Sequence, residues 1–138
     1  MKTANLFTRI LTGSAAAAVL AAPLVAAPRL TAQQQLDKAL AGRVAGKPVN
    51  CIDPRVNDST MVIDKTAIVY GSGRTVYLQR PVNAESLSDD DIMVTRLWGN
   101  GQLCNIDTVS LIDRSGGFYR GFVGLNEFVP YTRVAARD

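Results

Sequence analysis

Cys51 and Cys104 stand 53 residues apart, and neither has a second cysteine nearby. The C-x-x-C arrangement of a redox-active pair is therefore missing. In an oxidising compartment two such cysteines read as one structural disulfide. The remaining chemically capable groups are carboxylates. Ser88-Asp89-Asp90-Asp91 is the acid cluster of the chain. Consecutive aspartates do not give the alternating ligand spacing that calcium needs, so a solvated loop or a capped helical turn is expected. Asp107 and Asp113 share one face if their strand is regular, which allows a catalytic carboxylate pair, although strand acids more often accept turn or backbone hydrogen bonds. The chain has no histidine, so the commonest general base and metal ligand is absent. No catalytic, cofactor-binding or metal-binding residue is assigned, and no cofactor is expected.

Gly71-Ser72-Gly73 is a hairpin signal, because a phosphate loop needs a helix after it and a strand pattern follows instead. Arg74, Arg80, Arg96, Arg120 and Arg133 interleave with Tyr70, Tyr77, Tyr119 and Tyr131, a mixture that on a barrel could hold an anionic glycan or a single strand. Trp98, beside Gly99-Asn100-Gly101, is placed either at an exposed loop tip or as a plug at one end of a barrel. Trp98, Ser115, Tyr119 and Tyr131 are the candidate partner-binding residues.

These groups must be positioned by strands. Thr31 to Ala45 carries the helix signal: Thr31 with Gln34 in capping-box spacing, Leu36, Leu40 and Val44 as an apolar stripe, and Gly46 with Pro48 as a stop. Gly42 inside that stretch weakens it by about 1 kcal/mol relative to alanine. The helix is expected on the outside of the domain or as a linker. From Val49 onward β-branched and aromatic runs alternate with Gly and Asp punctuation, at 61–63, 67–70, 75–79, 92–97, 104–113 and 118–123. Phe128 to Tyr131 is expected to add an edge strand, because it contains Pro130. The expected fold is all-β: a small antiparallel β-barrel or sandwich of six to seven short strands with one short N-terminal helix.

The 138-residue chain has 15 Lys and Arg against 12 Asp and Glu. Lys2 and Arg9, the uncharged stretch Ile10 to Ala22 and the small residues Ala26 and Ala27 have the layout of a secretory signal peptide. The expected division is 1–27 signal peptide, 28–48 helical linker and 49–138 β-domain. Without Lys2 and Arg9 the basic residues number 13 against 12 acidic ones, so the net charge falls from +3 to +1. That balance speaks against a nucleic-acid partner. A periplasmic or secreted location is expected, with no membrane span once the signal is removed.

The segments Arg43 to Ile52, Leu103 to Asp107 and Glu127 to Tyr131, with their Cys-Ile, Leu-Cys-x-x-Asp and Phe-Val-Pro-Tyr motifs, resemble a domain-of-unknown-function family of small exported proteobacterial proteins. The resemblance covers about residues 43–131. Many members of that family hold four cysteines, and this chain has none near Asn83 to Leu87 or near Val123. The resemblance implies that the two missing cysteines pair together, leaving Cys51 with Cys104. It implies compartment and fold but no catalytic residues. Ser115-Gly116-Gly117-Phe118-Tyr119 is similar to the S-G-x-x-Y loop of periplasmic C-type lysozyme inhibitors, small disulfide-linked β-barrels whose loop enters the lysozyme cleft. The function expected is an exported, non-catalytic β-domain that binds an envelope component or a protein partner. The alternatives are a lysozyme-type hydrolase inhibitor acting through Ser115 to Tyr119, and an enzyme using Asp107 and Asp113.

Overall fold

A computed structural model describes residues 27–135. The expected signal peptide therefore lies, apart from Ala27, outside the described residues. Thr31 opens the first element as its residue type predicts. Its hydroxyl accepts from the Gln34 backbone N–H at 3.3 Å, and its own N–H donates to the Gln34 side chain at 2.9 Å. This closed capping box starts helix α1, Ala32–Leu40. The helix stops short of the expected Ala45. Gly42 takes a left-handed conformation, φ 68°, which turns the chain out of the helix, and Arg43–Ala45 becomes strand β1. Leu36 is buried and Leu40 packs beside it, whereas Val44 is left exposed on the strand. Segment 28–48 is thus built into the domain and does not stand before it as a linker.

The remaining strands follow the β-branched runs. They are β2 (Cys51–Ile52), β3 (Thr60–Ile63), β4 (Ala67–Tyr70), β5 (Thr75–Gln79), β6 (Asp91–Thr95), β7 (Leu103–Cys104), β8 (Thr108–Asp113), β9 (Tyr119–Gly124) and β10 (Phe128–Arg133). A 3-10 turn, Ala84–Ser86, precedes β6. The strands form three antiparallel sheets: a five-stranded sheet in the order β1-β10-β5-β4-β3, a three-stranded sheet β6-β8-β9, and the pair β2-β7. The architecture is all-β and sandwich-like, and it is not a closed barrel.

The five-stranded sheet lies between α1 and the smaller sheets, so both of its faces are covered at the centre. All four residues of β4 are buried for that reason. Ala67 and Val69 join Leu36, Ile63, Val76 and Leu78 under the helix. Ile68 and Tyr70 turn the other way and pack with Phe128, Leu103, Val109, Leu111 and Val123. Tyr70 and Phe128 meet edge to face with ring centroids 5.9 Å apart. Gln79 is fully buried, but its amide donates to the Asn126 carbonyl at 2.5 Å and accepts from the Asn126 N–H at 3.1 Å, so neither end is left unsatisfied.

Ten strands among the described residues exceed the six or seven expected, and the extra ones are short. The long strand expected over 104–113 is broken at 105–107. The Asp107 carboxylate accepts from the Cys104 N–H at 2.7 Å, and its own N–H donates to the Cys104 carbonyl at 3.0 Å. This local turn competes with the ladder and frees β7 to pair with β2. β10, expected at an edge, lies between β1 and β5. Pro130 is tolerated there because its carbonyl, which accepts from Gly46 at 2.7 Å, and therefore its donor-less nitrogen face the β1 side just beyond the last ladder residue, Ala45.

Candidate functional site

The three-stranded sheet buries Val109, Leu111 and Val123 inward. Its outward face should be polar if it met only water. It carries two cross-strand rows instead. Ile92, Ile112 and Tyr119 are register partners in one row, and Val94, Ser110 and Phe122 in the other. Ile92, Val94, Tyr119 and Phe122 are all exposed. The row residues share a face only because the β8–β9 ladder shifts register between Leu111 and Ile112. Arg120 is the extra residue of this bulge, and Gly121 beside it takes φ 127°. The bulge restores Tyr119 to the side of Phe122.

The same bulge directs Arg120 to Asp91, the first residue of β6. One guanidinium nitrogen donates to both carboxylate oxygens, at 2.7 and 2.9 Å. The Asp91 side chain is fully enclosed, while that of Arg120 keeps 43% of its surface. Asp91 is therefore not part of a solvated loop, as the acid cluster suggested; it is a buried anion held by a half-exposed cation.

Trp98 extends the apolar face. It pairs with Gln102 across the Gly99-Asn100-Gly101 tip, and Gly99 and Gly101 both adopt positive φ there. The Arg96 guanidinium stands 5.7 Å from the indole centroid. With Val94, Thr108 and Ser110 these side chains line a shallow depression of about 360 Å³. Trp98 is 67% exposed, so it sits at a loop tip and does not plug the core.

Ser115 lies in the turn between β8 and β9. The Asp113 carboxylate accepts from the Ser115 hydroxyl at 2.6 Å and from the N–H groups of Ser115 and Gly116 at 3.0 and 2.7 Å. These bonds, the Ser115 hydroxyl foremost, hold the Asp113 carboxyl below its usual range. The Phe118 ring lies so close to Gly116 that a Cβ there would strike it. Tyr131 is elsewhere: half-buried on β10, it packs against the cluster under α1. The structure thus brings Trp98 and Tyr119 to one face, puts Ser115 in the turn leading to it, and leaves Tyr131 apart.

Asp107 and Asp113 are not brought together. They flank β8 at its two ends, about 20 Å apart at the rise of a strand, and each caps its own turn. The arginines and tyrosines of the interleaved set are likewise scattered: Tyr70 is buried, Arg120 is tied to Asp91, and Tyr131 packs under the helix. Cys51 and Cys104 are opposed across β2 and β7 and are joined as a disulfide, S–S 2.07 Å. Among the described residues no group of His, Cys, Asp or Glu is placed to hold a metal ion, and no helix is long and apolar enough to cross a membrane.

Compared with known proteins, the chain matches no family model, no curated protein and no solved structure. The face is therefore read from its own residues. Ile92, Val94, Ile112 and Phe122 were not singled out from the sequence. Their signal is the phase of Asp91-Ile92-Met93-Val94-Thr95, where the β-branched Ile92 and Val94 fall on the outward positions while Asp91, Met93 and Thr95 fall inward.

Proposed function

We propose that this protein is an exported, non-catalytic binding module that docks a protein partner of the cell envelope on the outer face of its three-stranded sheet. The observation that carries the reading is the alignment of Tyr119 and Phe122, by a bulge, with Ile92 and Val94 on an exposed sheet face. Contiguous exposed apolar surface of this kind marks interaction sites, and aromatic side chains are the usual anchors. The disulfide supports an oxidising address, and the likeness to small exported proteobacterial proteins points the same way.

A photo-reactive residue at position 122 tests the proposal in cells that export the protein. It should form a discrete crosslink to one partner that is lost when Trp98→Ala and Tyr119→Ser are combined. Crosslinking from position 33, on the helix, should give no such product. Equal labelling from both positions, or a product indifferent to the double substitution, would refute the face as the docking surface.

A narrower version makes the partner a lysozyme-type hydrolase. The exposed pair Phe118 and Tyr119, following the rigid Asp113–Ser115 turn, favours it. Purified protein should then slow lysozyme on bacterial cell walls, and Tyr119→Ala should relieve the effect. Lysozyme running at full rate would remove this version and leave the wider proposal standing.

A further inference from the structure

Along one side of the sandwich β3, an edge of the five-stranded sheet, and β6, an edge of the three-stranded sheet, line common depressions. Two adjoining depressions of about 220 and 410 Å³ lie along this seam. Thr60 and Met93 line both; Thr95 and Tyr70 complete the first, Val62 and Ile92 the second.

Ladder phase fixes which backbone groups face the opening. Gly71 donates to the Ser59 carbonyl, so Ser59, Met61 and Ile63 bond toward β4, and Thr60 and Val62 point outward. Asp113 donates to the Phe118 carbonyl on the β9 side, so Ser110 and Ile112 bond toward β6, where they meet Val94 and Ile92. Met93 and Thr95 therefore also point outward. Among the described residues no strand and no side chain pairs with these outward groups. Two unpaired strand edges thus border an apolar floor that includes Tyr70, Leu103 and Met93.

We infer that this seam is a second binding site, which adjoins the outer face at Ile92 and takes up an extended peptide by strand addition between β3 and β6. Only another backbone in extended form presents donors and acceptors at the spacing these edges require. Alternate side chains of such a peptide would enter the floor, which selects apolar residues at every second position. Asp58 stands at one mouth and Asp89 at the other, where Arg114 also lines the depression with its guanidinium turned to the Asp90 carbonyl, 3.3 Å away. The ion pairs among the described residues are Asp53–Arg55 and Asp91–Arg120, so neither mouth acid is in one. The occupant is accordingly an apolar, alternating segment flanked by Lys or Arg, contributed by another protein.

The test uses a fluorescein-labelled peptide of alternating valine and threonine with two lysines at each end. Anisotropy should report saturable binding, and hydrogen exchange should show new protection at the amides of Thr60, Val62, Met93 and Thr95. Thr95→Pro, which removes an outward donor and leaves the β6–β8 ladder intact, should weaken binding by about tenfold or more. The same peptide N-methylated at alternate residues tests the unmodified protein and should weaken equally. Glutamates in place of the lysines should also weaken it. Phe122→Ser should leave binding unchanged, which separates this site from the outer face. No binding, undiminished binding of the N-methylated peptide, or protection confined to Ser110 and Phe122 would overturn the inference. Protection of the seam without peptide, rising with protein concentration, would overturn it in favour of a second copy of this chain.

Discussion

Tyr119 and Phe122 project from the same face of β9 although Arg120 and Gly121 stand between them, a spacing that on a regular strand sends two side chains to opposite sides. Gly121 makes this geometry available. Its φ of 127° lies where residues with a Cβ are strained, even though a Cβ would meet nothing within 4 Å. Gly121→Ala should therefore destabilise the fold by about 1–3 kcal/mol through backbone strain alone, seen as a lower denaturant midpoint with an unchanged slope. The variant should also lose the crosslink made from position 122. A fully stable Gly121→Ala protein would show that the bulge is not needed to hold the register.

The Arg120–Asp91 pair should respond asymmetrically to truncation. Arg120→Ala leaves an enclosed carboxylate without its cation, and a cost of about 3 kcal/mol is expected. Asp91→Ala frees a guanidinium that is already half in water, so its cost should be smaller, about 1 kcal/mol. Urea unfolding of the two single variants checks the order. Equal costs would mean that the carboxylate is hydrated once Arg120 is removed.

Cys51 and Cys104 join two-residue strands that present little ladder of their own. Their bridge spans a sequence separation of 53 and should contribute about 4 kcal/mol by chain entropy. Paired Cys51→Ala and Cys104→Ala substitutions should lower the thermal midpoint and loosen amide protection first at Ile52 and Leu103. Thiol labelling of the unmodified native protein should find neither cysteine reactive.

Stability should fall at both ends of the pH range. Burial pushes the Tyr70 phenol well above its ordinary value, so the neutral ring is favoured in the folded state. That contribution is complete below about pH 10, the unfolded value, and is lost as pH rises above it. Tyr70→Phe should delay alkaline unfolding, followed by circular dichroism. The Asp113 carboxyl is held below its ordinary range, so its contribution is present above about pH 4 and is lost as pH falls through the folded value. Protection of the Ser115 and Gly116 amides, taken relative to intrinsic exchange at each pH, should fall in acid, and Asp113→Asn should blunt that change.

How much of this was legible in the chain differs element by element. The Thr31 and Gln34 cap, the hairpin at 61–70 and the strand at 75–79 depend on near neighbours, and residue types state them outright. The pairing of Cys51 with Cys104 followed from there being only two cysteines. The central place of β10 and the conversion of Arg43–Ala45 to a strand were not legible, because each is settled by a partner far away in sequence. The break at Asp107 was missed because a local side-chain turn onto Cys104 interrupts a run whose residue types read as one strand. The outer face was hidden for a related reason. Exposure of Ile92, Val94 and Phe122 depends on which side of the sheet the core occupies, and a bulge of one residue exchanges the two sides. By itself the sequence determined an all-β domain with a disulfide and no histidine chemistry, since composition and short-range pattern suffice for that. Only the tertiary structure decided which aromatic residues share a surface and which strand edges stay open, because register and sheet order are set by long-range pairing that a linear pattern does not encode.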